Sequence, residues 1–157
     1  MRTIRRRRLE KKTDYKSRFS LLKSNNPRLV ARRTNRYLIV QIIQTSLAQD
    51  KVIVGLTSKA LLEKGWPKAE EGSLKNKIAA YLIGFLIGKM AQKNNVKTVM
   101  FDIGMHRNVH KSRLYALLKG AIDSGLVVPH NPDILPSDKE LEADEKFKLL
   151  KNRITKE

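Results

Sequence analysis

The side chains able to do chemistry in this sequence are chiefly cations, and they fall into three segments. The first is the connection Met105-His106-Arg107-Asn108-Val109-His110-Lys111, which offers imidazoles, fixed positive charge and an amide within one short loop. Ser112 follows where a helix cap belongs and Arg113 stands in the first turn, so free backbone N–H groups meet Arg107, Lys111 and Arg113 at one helix start. That combination suits a phosphate group. The second segment is a basic N-terminal stretch, Arg5, Arg6, Arg7, Arg8, Lys11 and Lys12, followed by Tyr15 and Arg18. The third gathers Arg28, Arg32, Arg33, Asn35, Arg36 and Tyr37 around a tight turn. Guanidinium forks pair with phosphates, while amides and aromatic rings reach unstacked bases, so these segments point to RNA. Arg in an edge strand also guards against aggregation, and that role competes for Arg28, Arg32 and Arg33.

Catalytic chemistry finds less support. His106 and His110 are four residues apart, but a zinc site needs three or four converging ligands and no third His or Cys stands nearby. The chain has no cysteine, which removes disulfides, thiolate metal sites and thiol nucleophiles together. Asp102 closes a strand-like run, where a metal-dependent nuclease of ribonuclease-H type carries its first acid; such an enzyme needs two or three more carboxylates around its metals. Asp123 belongs to a helix and Glu70 and Glu71 to a loop, so the expected role of Asp102 is an ion pair or a backbone hydrogen bond shaping the turn at Gly104. Neither a Walker-type phosphate loop nor a nucleophile elbow is present. No catalytic residue, metal, cofactor or small-molecule substrate is therefore expected, with the Asp102 nuclease kept as the alternative.

Charge supports a polyanion partner. Thirty-three Lys and Arg against fifteen Asp and Glu give +18. Residues 1–36 hold fourteen of these cations against Glu10 and Asp14, a net +12, so two thirds of the excess sits in less than a quarter of the chain. Nucleic acid is the first expectation and an anionic membrane surface the second. The longest apolar stretch, Ile78–Gly88, is about half of the ~20 residues a bilayer span needs and is flanked by Lys75, Lys77 and Lys89. Met1–Arg8 has no apolar core behind it, so a soluble, cytosolic protein without a leader is expected.

The elements that must position these cations follow from periodicity. Met1–Lys12 has too little apolar content to fold alone and is expected to be a disordered arm, with Thr13 capping a short helix that Asn25-Asn26-Pro27 ends. Arg28–Arg33, Arg36–Thr45 and Lys51–Leu56 read as a three-strand meander. Ser58–Lys64 makes one or two helical turns before Gly65, and Trp66 plugs the core. Leu74–Lys93 is the strongest helix, with Gly84 and Gly88 expected to let it sit close to the sheet. Thr98–Ile103 is a fourth strand, and Leu114, Leu117, Leu118, Ala121 and Ile122 mark a helix ending at Gly125. The fold class is α/β: a mixed sheet of an antiparallel three-strand meander plus a parallel fourth strand, packed with helices. Ser137–Ile154 reads as one near-neutral amphipathic helix. The organisation is thus an arm and short helix at 1–27, an RNA-binding domain at 28–130, and a loop with a C-terminal helix at 131–157.

The motifs Arg5–Arg8, Thr13-Asp14-Tyr15, Pro27-Arg28-Leu29-Val30-Ala31-Arg32, Asn35-Arg36, Tyr81-Leu82 with Gly84 and Gly88, Phe101-Asp102-Ile103-Gly104, Lys119–Leu126 and Pro129-His130 occur in an order that resembles one family. It is the large-subunit ribosomal protein family that binds 5S ribosomal RNA, protein eighteen in its archaeal type. The likeness runs from about residue 5 to residue 136. It implies a topology related to ribonuclease H, no catalytic activity, and a cytoplasmic place in the central protuberance of the ribosome. It also implies 5S rRNA, 23S rRNA and neighbouring ribosomal proteins as partners. By position the RNA contacts fall on Arg5–Arg8, Lys11, Lys12, Tyr15, Arg18, Arg28, Arg32, Arg33, Asn35, Arg36, Arg107, Lys111 and Arg113. Tyr37, His106, His110 and Ser112 join this set from the chemistry of the hairpin and loop alone.

Overall fold

Three strands, β1 (Arg28–Arg33), β2 (Leu38–Ser46) and β3 (Gln49–Thr57), form an antiparallel meander, and β4 (Met100–Asp102) adds to β1 in parallel. The sheet order is β3-β2-β1-β4, as the alternating and β-branched runs require. The computed structural model describes residues 4–10, 12–46, 49–142 and 145–155. A parallel partner for β1 needs a crossover, supplied by α3 (Ala60–Glu63), a 3-10 segment (Lys68–Ser73) and α4 (Lys77–Lys93). Thr98 makes a further isolated parallel bridge to Val127, beyond β4.

Strand alternation sorts the sheet into two faces. Leu29 and Ala31 of β1 and Leu38, Val40 and Ile42 of β2 are fully buried, in one cluster with the apolar residues of α4. The register puts Arg28, Val30 and Arg32 on the opposite face, together with Asp102 of β4. Alternation thus delivers the core to one side and Arg28 and Arg32 to the other, while Arg33, on the core side's parity, emerges at the strand end. Trp66 is buried as expected, its indole N–H donating to the Glu70 carbonyl at 3.2 Å.

Helix α4 begins at Lys77, later than its apolar pattern alone suggests, because the Asn76 side chain accepts from the Ala79 amide at 2.7 Å and caps it there. The close approach expected between its glycines and the sheet occurs instead against a helix, α5 (Arg113–Asp123). A Cβ at Gly84 would collide with the Leu117 carbonyl, and one at Gly120 with that of Tyr81. The two helices cross backbone to backbone. Sequence spacing marks such a small-residue stripe without naming what fills it. Gly84→Ala is expected to cost about 1–3 kcal/mol, the usual range for overpacking, read as a lower urea midpoint with unchanged slope.

The C-terminal run is helical on both sides of residues 143–144, which lie outside the described residues, as α6 (Asp138–Glu142) and α7 (Glu145–Thr155). Its apolar positions Leu141, Phe147, Leu150 and Ile154 are all buried, with the Phe147 and Tyr81 rings 5.0 Å apart. Lys77 pairs with Glu140 at 3.0 Å, and Lys89 donates to the last helical carbonyls, Ile154 and Thr155. This segment therefore docks on its own domain.

Composition predicts a disordered arm, yet Arg6–Leu9 forms a single helical turn, α1, and Tyr15–Leu22 forms α2. The α2 cap is Asp14, not Thr13: its carboxylate accepts from the Lys16 and Ser17 amides at 3.1 and 3.3 Å. Among the described residues no helix is long and apolar enough to cross a membrane.

Candidate nucleic-acid interface

The β4–α5 connection is pinned at four points. Asp102 Oδ1 accepts from the Gly104 amide at 2.8 Å, folding the chain sharply through Gly104 with φ at +60°. His106 Nε2 accepts from the Arg33 amide at 3.0 Å, Asn108 accepts from the Tyr115 hydroxyl, and the Lys111 amide donates to the Ile134 carbonyl at 2.9 Å. Lys111 itself takes a positive φ of +55°. The loop is therefore a fixed shape and not a solvated tether.

Pinned in this way, it forms with β1 and the start of α4 a cleft of about 310 Å³, lined by Arg33, Lys77, Arg107 and Arg113 together with His106 and Ser112. Ser112 stands at the α5 N-cap, but its side chain makes no capping hydrogen bond. The first-turn amides keep their donors for an outside acceptor, in the field of four cations. Arg113 is oriented by a bond from Nη1 to the Lys75 carbonyl at 3.3 Å.

His106 is more structural than its type implies. Burial first, and then the neighbouring charges of Arg32 and Arg33, push its imidazole below the ordinary range. A neutral ring is what the Arg33 N–H needs, since a protonated one has no acceptor. The folded-state value lies below the unfolded one of about 6.5, so this bond's contribution is complete above that pH and is lost as pH falls through the lower value. Between pH 7.5 and 5 the wild type should lose more stability than His106→Gln, by on the order of 1 kcal/mol, in paired denaturation curves. Equal losses would show that the ring does not titrate through this bond.

The other predicted residues are placed as follows. Arg8 reaches the same loop, Nη1 lying 3.0 Å from Met105 Sδ, and pairs with Asp14 at 3.2 Å. Arg5 lies over the Tyr15 ring at 4.7 Å, Arg6 and Lys12 both pair with Glu10 at 2.7 Å, and Arg7 Nε donates to Thr13 Oγ1. Arg18 pairs with Asp50 at 2.7 Å. Arg32 donates to Asp102 Oδ1 and to the Ala31 and Asp102 carbonyls. Asn35 uses its carbonyl to accept from Lys75 at 2.7 Å, and Arg36 is exposed beside it. Tyr37 is half-buried under Lys59, 4.7 Å from its ring, with its hydroxyl near Glu71. His110 and Lys111 are exposed on the loop, and Lys11 lies outside the described residues.

Arg28 stands apart. It is 3% exposed and spent inside the protein: Nη1 donates to Asp102 Oδ2 at 2.8 Å, and Nη2 to Asp50 and Thr45. Asp102, 5% exposed, fills both oxygens with Arg28, Arg32 and the Gly104 amide. That is the shaping role expected of it. Among the described residues no group of three or more His, Cys, Asp or Glu is placed to hold a metal. Lys75 and Lys77 are residues that sequence reasoning missed, because they read as the polar flank of the α4 apolar run. Their position at the start of the strongest apolar helix was the available signal.

Arm, first strand and loop thus meet around the end of β1: the consecutive residues Arg32 and Arg33 point to opposite faces of the sheet, Arg32 towards the N-terminal segment and Arg33 towards the α5 start. A small mixed sheet backed by helices, with a rigid cationic rim, has the form of a scaffold protein for folded nucleic acid. The chain matches the family described as "Ribosomal large subunit proteins 60S L5, and 50S L18" over residues 1–99 and 90–131, and it belongs to that family. It is 48% identical over 139 residues to the large ribosomal subunit protein uL18 of Korarchaeum cryptofilum, covering 88% of this chain and 69% of that protein. The proteins of the same name from Aeropyrum pernix and Methanothermobacter thermautotrophicus are 41% and 39% identical, again over 88% of this chain, with 64% and 70% of their own lengths covered. The chain therefore spans about two thirds of the length of these relatives.

Proposed function

We propose that this chain is a structural constituent of the large ribosomal subunit that binds 5S rRNA and helps attach it to 23S rRNA in the central protuberance, beside neighbouring ribosomal proteins. Family membership supports the ribosomal role; the meeting of the N-terminal segment, β1 and the pinned β4–α5 loop in a cationic rim around the end of β1 carries the RNA assignment. In this reading Arg33, Arg107, Arg113, Lys77 and the α5 amides take backbone phosphates. Arg5–Arg8, Lys12 and Arg18 extend the contact along the arm, and Asn35, Arg36 and Tyr37 meet RNA at the hairpin tip. Arg28 and Asp102 act from beneath as supports. Residues 1–27 serve as the clamp and 28–130 as the platform, while 131–157 pack on α4 and hold the loop at Lys111. No catalytic step is assigned, since the Asp102 oxygens are occupied by protein donors.

Binding of 5S rRNA at several salt concentrations tests this. Each phosphate neutralised contributes roughly 0.7–0.9 to the slope of log affinity against log salt, so five or more contacts predict a slope steeper than about −4. The affinity should also exceed that for an unrelated RNA of equal length. A slope near zero overturns the assignment.

A further inference from the structure

One edge of the sheet is open. β3 is the last strand in the order β3-β2-β1-β4, and among the described residues no backbone hydrogen bond joins its outer side to another element. The opposite edge ends on β4, three residues long, whereas β3 runs for nine. Long edges are normally guarded by charge, proline or a bulge. Here Lys51 and one register shift, where Ile53 is passed over between the Ile43–Val52 and Ile42–Val54 pairs, guard the first half. Beyond it, Val54-Gly55-Leu56-Thr57 has neither charge nor proline.

Gly55 is a second, independent observation. Glycine inside a strand weakens it, and this fold does not require one: φ at Gly55 is not positive, and an added Cβ would meet only the Val52 and Gln41 side chains, at 3.5 Å or more. The missing side chain instead leaves room in a groove of about 450 Å³, lined also by Ile39, Gln41, Leu56 and Lys59. A strand glycine of this kind marks the close approach of another backbone.

We infer that β3 takes a fifth strand: an extended, neutral or acidic segment of a neighbouring large-subunit protein pairs with its outer edge and lays a side chain in the groove over Gly55. A row of backbone N–H and C=O groups at strand spacing is matched by another polypeptide, not by a ribose-phosphate chain. Charge sets the sign of the partner. Lys51 and Lys59 flank the open stretch against Glu63 in the groove, and nearby Asp50 is already paired with Arg18 and Arg28. A second copy of this chain would bring +18 against +18 and is a poor occupant. The inference rests on the ribosomal reading for its neighbour, and not on where the RNA binds.

The test places a photo-reactive benzophenone side chain at Val52, which is 47% exposed, in full-length chain replacing the native copy in cells. Large subunits are purified and irradiated, and the crosslinked species is identified by mass spectrometry. A crosslink to one ribosomal protein, mapped to a neutral or acidic segment, is expected. Gly55→Val in the same background should lower its yield at least tenfold while Tm stays the same or rises, because valine suits a strand and only the groove is filled. Thr57→Glu, at an exposed position, should lower the yield as well by setting a charge against the partner. Crosslinks to rRNA or to a second copy, no crosslink in subunits that contain the chain, or a yield that ignores both substitutions overturns the inference. Sedimentation of the chain with the large subunit reads the ribosomal assignment separately; a chain absent from the subunit defeats that reading, and this inference with it.

Discussion

Asp102→Ala should unfold with a stability lower by roughly 3–5 kcal/mol, the range for stripping a buried charge of its partner. The carboxylate sits between two guanidiniums and the Gly104 amide, and its loss leaves Arg28, 3% exposed, with only Asp50 and Thr45 as acceptors. A protein of this size loses about 2–4 °C for each kcal/mol, so a fall in Tm of roughly 10 °C is expected. Asp102→Asn, which keeps an acceptor for Gly104, should lose less. The double variant Arg28→Met with Asp102→Leu should recover part of the deficit, because removing both charges ends the desolvation cost that removing one exposes. A protein of unchanged Tm after Asp102→Ala would mean that the carboxylate is not structural and would reopen its assignment as a catalytic acid.

Much of the scaffold was legible in the sequence because it rests on local signals. The bounds of β1 follow from its apolar centre Leu29-Val30-Ala31 between Pro27 and the Thr34-Asn35 turn, and α5 from its apolar period and from Gly125, whose φ of +103° only glycine takes easily. What resisted were contacts between residues far apart in the chain. Nothing near His106 announces that its acceptor meets the Arg33 amide, seventy-three residues away. Nothing in the charge run Arg5–Arg8 announces that Arg8 reaches Met105. The disorder expected of the arm followed from its composition, which counts apolar content but not tertiary partners. Arg28 was grouped with the RNA contacts because a guanidinium in a strand looks the same whether its partner is a phosphate or Asp102. Strand parity gives the face of the sheet, and only the packed fold gives what covers that face.

The second large effect is expected at the cleft. Arg33 and Arg107 are both exposed and line it from β1 and from the loop. Converting both to Glu replaces two charge-assisted donors by two repelling acceptors, so the affinity for 5S rRNA should fall roughly 100- to 1,000-fold, about 3–4 kcal/mol. Tm should barely change, since neither side chain holds the core.

The decisive comparison sets this double variant against Lys93→Glu with Lys97→Glu, which alters net charge by the same amount at the other end of the domain. Lys77, the first residue of α4, lines the cleft, while Lys93 ends that helix, a rise of roughly 24 Å at 1.5 Å per residue. That distance exceeds the screening length of about 8 Å at physiological salt. Affinity for 5S rRNA measured at 150 mM salt, close to physiological ionic strength, should collapse for Arg33→Glu with Arg107→Glu and fall by less than about threefold for the lysine pair. Equal losses in the two proteins would mean that RNA responds to total charge alone, and that the cleft built from β1, the β4–α5 loop and the α4 and α5 starts is not where it binds.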